Sequence, residues 1–126
     1  MPKKVDPKVL EDSITEVNEE LRNKLSEIEA KVNEAMAEQR QLVLERNSKQ
    51  GEREGLEKLV EKKIISNKER EEDEKEIITE INELQEKINN LGNNLQAYQN
   101  EANNVLANAQ GQVRVFQKLL DSLTEA

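Results

Sequence analysis

No cysteine, histidine or tryptophan occurs anywhere in the 126 residues. These absences remove disulfide frameworks, thiolate and imidazole metal sites, Ser-His-Asp triads, cysteine nucleophiles and haem ligation together. Aromatic residues make up 2 % of the chain, as Tyr98 and Phe116 alone. A globular core ordinarily leans on large aromatic and aliphatic side chains. Here the apolar set is almost wholly Leu, Ile, Val and Ala, which suits a narrow seam between helices. Proline occurs only at Pro2 and Pro7, and glycine four times, so few positions force a break. No apolar run is long enough to span a bilayer, and the first residues lack the apolar core of a secretory leader. The expectation is a soluble, intracellular protein or part of a larger assembly, with no membrane insertion and the compartment undetermined.

Charge is abundant. Charged residues account for 37 % of the chain and hydrophobic residues for 34 %, with a net charge of −8. An acidic chain is a poor ligand for nucleic acid or anionic membrane, because its general field repels both. Lys3-Lys4 and Lys62-Lys63 are too short to reverse that, and no aromatic is interleaved with them. High charge with low hydrophobicity also describes disordered chains. The apolar residues here, however, keep a helical period over most of the chain, which a disordered segment has no reason to do.

The first helix has a clear start. Asp6 can cap free backbone N–H groups, and Pro7 suits the first helical position because it has no N–H to leave unpaired. Val5 and Leu10 stand at the positions of a hydrophobic staple. Beyond them Ile14, Val17, Leu21, Leu25, Ile28, Val32 and Met36 form a stripe that continues through Gln39 to Val43. Its spacings repeat every eleven residues, which predicts a nearly straight or slightly right-handed bundle. Residues 47–55 contain no apolar side chain but include Gly51 and Gly55, and the stripe re-enters at Leu56 out of phase. Helices over about 7–48 and 56–123 joined by a turn at 49–55 are therefore expected.

The second stretch reads as a heptad seam through Ile77, Ile81, Leu84, Ile88, Leu91, Leu95, Tyr98, Ala102, Val105 and Ala109. One added step of four leads to Val113, and the seam resumes at Phe116, Leu120 and Leu123. Two interruptions are conceivable. Ser66 and Glu69 form a capping-box pattern after Ile64 and Ile65, and Asn89–Asn94 surrounds Gly92 with poor helix formers. Either break would turn a hairpin into a three-helix bundle. Glu–Lys pairs at i, i+4, such as Glu27–Lys31 and Glu83–Lys87, mark faces built for water.

Charge is unevenly spread. Residues 1–50 carry nine basic and eleven acidic groups, residues 51–87 eight and thirteen, and residues 88–126 only two and three. The last third is filled instead with Asn, Gln and Ala. It has a wide apolar face that includes Leu106, Val115 and Leu119 besides the seam. Such a helix is either the inner helix of its own bundle or a docking segment. Lengths bear on this choice, since helices of about 60 and 100 Å could not cover one another, and the uncovered end would need other chains.

The acidic run Glu69–Glu76 lacks the alternating oxygen ligands and central glycine of a calcium loop. Gly51 and Gly55 are not followed by the Lys-Ser/Thr of a phosphate loop. Tyr98, Phe116 and Met36 read as seam residues. No cofactor, metal, small-molecule substrate or catalytic residue is expected. The sequence thus predicts an all-α, coiled-coil-type antiparallel hairpin or bundle forming one helical unit, with no enzymatic activity. It would act as a stalk, spacer, fibre or assembly subunit through protein partners, copies of itself among them. The assembly residues would be Leu95, Tyr98, Ala102, Val105, Ala109, Val113, Phe116, Leu120 and Leu123. A helical binding module or chaperone-like adaptor, presenting a groove to a partner helix, is the alternative.

Overall fold

A computed structural model describes residues 5–124. The chain forms an antiparallel helical hairpin of two long helices, α1 over Pro7–Glu61 and α2 over Asn67–Thr124. The start of α1 follows the sequence signal. Asp6 Oδ1 accepts from the backbone N–H of Lys8 at 3.0 Å, and the Asp6 carbonyl accepts from Val9 at 3.0 Å.

The turn is at 62–66, not at 49–55. Gly51 and Gly55 lie inside α1, neither has a positive φ, and a Cβ at either would meet nothing within 4 Å. Helix interiors tolerate glycine at a cost of about 1 kcal/mol each, and the packing on either side carries α1 through both. Replacing Gly51 and Gly55 together by Ala is therefore expected to stabilise the hairpin by about 1–2 kcal/mol, read from chemical denaturation. Destabilisation would contradict an uninterrupted helix.

The chain reverses at a lysine. Lys63 has φ 60°, its N–H bonds the Val60 carbonyl at 3.0 Å, and the Ile64 N–H reaches back to Leu59 at 2.9 Å. This is the paired hydrogen-bond pattern of a Schellman helix end, ordinarily built on glycine. Ser66 then caps α2: its Oγ accepts from the Glu69 N–H at 3.2 Å and donates to Glu69 Oε1 at 3.3 Å. Of the two conceivable interruptions, the one before Ser66 is realised. The one at Gly92 is not, and α2 runs through Asn89–Asn94 unbroken. No three-helix bundle forms. The helices have 55 and 58 residues, which removes the argument from unequal lengths.

The apparent phase jump at Leu56 also disappears. After Ile28 the inward positions are Val32, Ala35, Gln39, Leu42, Arg46, Lys49, Arg53, Leu56 and Val60, a heptad series with alternating steps of four and three. Ala35 is buried and Met36 is 41 % exposed, so the seam passes through the alanine and not the methionine. Polar and small residues at seam positions hid the continuity.

Contacts cluster into two units. One contains residues 33–96, with the turn, and its buried apolar residues are Ala35, Ile81 and Ile88. The other pairs the beginning of α1, up to Val32, with α2 from Ala97, and buries Leu10, Ile28 and Ala109.

Candidate functional site

In the unit formed by the helix ends, α1 presents Leu10, Ile14, Val17, Leu21, Leu25, Ile28 and Val32. From α2 come Tyr98, Ala102, Val105, Ala109, Val113, Phe116, Leu120 and Leu123. Leu10, Ile28 and Ala109 are buried and the remainder are half-buried. Both helices take an added step of four here, Leu21 to Leu25 in α1 and Ala109 to Val113 in α2. The two steps meet, because Leu21, Ala109 and Val113 line one groove with Asn18, Gln110 and Gln117. Matching steps let both stripes drift in the same sense, so the seam stays in register. The groove has a volume of about 500 Å³ and carries Arg114, Lys118 and Asp121 along its length.

The wide apolar face of α2 is only partly covered by α1. Leu106 is 39 % exposed, Leu119 43 % and Val115 66 %. Along α2, Gln112 Nε2 donates to Asn108 Oδ1 at 2.7 Å, and Gln117 Nε2 donates to the carboxylate oxygen Oδ1 of Asp121 at 2.9 Å.

The unit containing the turn holds Leu95, the one predicted assembly residue outside the helix-end unit, half-buried. It also holds a polar constellation that the sequence pattern did not single out. Arg53 Nε donates to Glu74 Oε1, Arg70 Nε lies 3.5 Å from Glu74 Oε2, and Lys49 Nζ lies 2.6 Å from Glu80 Oε2. Arg46 donates to Gln85 Oε1 at 2.7 Å, and Gln39 Nε2 to the Ile88 carbonyl at 3.3 Å. Lys49 pairs with Glu52 at 3.3 Å as well. The carboxylates of Glu80, then Glu52, hold its ammonium above the usual lysine range. Cations at α1 seam positions thus face carboxylates of α2. Extending the heptad from Ile28 would have found Arg46, Lys49 and Arg53 on one face, with Glu74 and Glu80 as their natural counterparts.

Among the described residues no cluster of three or more acidic groups is placed to hold a metal ion, and no helix is long and apolar enough to cross a membrane. No protein-family model, curated protein or solved structure matches the chain.

Proposed function

We propose that this protein is a non-enzymatic structural or scaffolding element that works by helix-to-helix assembly, as a stalk, spacer, fibre or assembly subunit. The observation that supports this reading is the incomplete burial of its own seam. No side chain among the described residues is fully buried, and most seam positions are only partly buried. Apolar surface is worth about 25 cal/mol per Å² removed from water. A two-helix seam leaves part of that gain unrealised, and further helices packed alongside would recover it. A chemistry that needs a dry, polar-lined pocket has little to build on here.

Sedimentation equilibrium combined with small-angle scattering tests the proposal. The expected result is an extended oligomer that dissociates when Val115, 66 % exposed on the hairpin, is replaced by Asp. A compact monomer would sink it. That outcome would favour the adaptor reading, for which the groove at Leu21, Ala109 and Val113 supplies the surface.

A further inference from the structure

The turn at 62–66 carries three features that reversing the chain does not require. The first is Lys63, held at φ 60°. Glycine is the ordinary residue at this place in a Schellman helix end, because a Cβ is strained in the left-handed region. The second is Ile64. Its N–H reaches back to Leu59, and an apolar side chain at that place ordinarily packs on the last helical turn. Ile64 is instead 65 % exposed. The third is charge. From 62 to 68 the chain carries Lys62, Lys63 and Lys68 and no acidic group, a net +3 against −11 for the rest of a chain whose total is −8. All three lysines are exposed. The ion pairs among the described residues engage Lys49, Arg53 and Arg70 instead.

Area and charge indicate what the turn meets. With helices about 10 Å across, the end of a two-helix hairpin offers about 200 Å². A stable protein partner needs about 800 Å² from each side. Lipid contact has no such threshold, since each basic residue near an anionic surface, and each apolar group entering the interface, adds its own increment. Lysines around one exposed isoleucine suit that boundary. Their ammonium groups stay among the headgroups while their stems and the isoleucine side chain lie deeper.

The acidic character of the chain does not oppose an end-on approach as strongly as its net charge suggests. Both helices lead away from the turn. At 1.5 Å per residue, charges more than about seven residues along either helix stand about 10 Å off, where physiological salt screens them. Among the acids of the adjoining turns, Glu61 and Glu69 stand nearest in sequence and weaken the attraction.

We propose that the turn at 62–66 is a peripheral docking tip for an anionic lipid surface, with Lys62 and Lys63 at the headgroups and Ile64 entering the interface. The left-handed lysine keeps a charge where glycine would have made the turn more stable. This inference does not depend on assembly of the chain.

Co-sedimentation of the intact chain with vesicles tests it. Equimolar phosphatidylcholine and phosphatidylserine vesicles should carry the protein down at low salt, and phosphatidylcholine vesicles should not. Lys62→Ala with Lys63→Gly should weaken binding about 25-fold, at about fivefold per lysine. The thermal midpoint of that variant should not fall, because glycine relieves the left-handed residue. Ile64→Ser should weaken binding severalfold with helical circular dichroism retained, and Glu61→Gln should strengthen it. Lys24→Ala with Lys31→Ala removes the same charge from exposed positions of α1 away from the turn and should leave binding unchanged. An equal loss with this second pair would reveal general charge attraction and overturn the tip. Sedimentation with both vesicle types alike, or with neither, would overturn it too. So would an oligomer that dissociates on Lys62→Ala with Lys63→Gly while vesicle binding is absent, which would make the turn a protein contact.

Discussion

Replacing Ile88 by Asp should abolish most of the hairpin's stability, by more than about 3 kcal/mol, and lower the thermal midpoint by about 10 °C or more. Ile88 is 8 % exposed and Ile81, one heptad earlier, 9 %. Truncating such a side chain to Ala costs about 2–5 kcal/mol through lost transfer energy and an unfilled gap. Aspartate adds the cost of placing a carboxylate in that site. Helix propensity contributes much less, since Ile and Asp differ by only a few tenths of a kcal/mol. The control is Leu44→Asp, at a position 63 % exposed on the other helix, which should change stability by less than about 0.5 kcal/mol. Thermal melts followed by circular dichroism would separate the two. Equal effects at both positions would show that Ile88 is not the packing centre inferred here.

Replacing Glu74 by Lys should cost about 1–2 kcal/mol at low ionic strength and less in concentrated salt. Glu74 has a side chain only 12 % exposed and stands between Arg53 and Arg70. Arg70 Nε is buried without any hydrogen-bond partner, so the Glu74 carboxylate at 3.5 Å supplies its electrostatic compensation. Lysine at 74 would place three cations together. Arg53 and Arg70 keep 41 % and 28 % side-chain exposure, so water screens part of the penalty and the figure stays modest. Swapping the charges, Arg53→Glu with Glu74→Arg, should recover part of the loss. A double-mutant cycle measures this coupling. A coupling energy below about 0.3 kcal/mol would mean that the pair does not set how the helices align.

These two predictions concern residues of different visibility. Ile81 and Ile88 stand out in the sequence because large aliphatic side chains at heptad spacing have no other explanation in a chain so polar. The same legibility covers the Asp6-Pro7 helix start, the α2 seam and its step of four at Ala109. Arg70 and Glu74 fall on the α2 seam when the heptad is counted back from Ile77, but Arg46, Lys49 and Arg53 were not legible as seam residues. A charged side chain at a seam position resembles an interruption until its counterion on the other helix is known.

The sequence by itself determined that this is an all-helical chain with long apolar seams and a charge-poor final third. Apolar period, capping chemistry and composition are local properties, and each is written within a few turns. Tertiary structure decided where the chain reverses. Gly51 and Gly55 had the better local turn chemistry, yet α1 passes through them and turns at Lys63, in a left-handed conformation that a lysine adopts at some cost. The physical reason lies between the helices. Ion pairs from Lys49 and Arg53 to Glu80 and Glu74 form only if α1 continues past both glycines, and their location is set by two segments together. Tertiary structure also decided what was left uncovered, since the exposure of Val115 and Leu119 depends on which part of α2 faces α1.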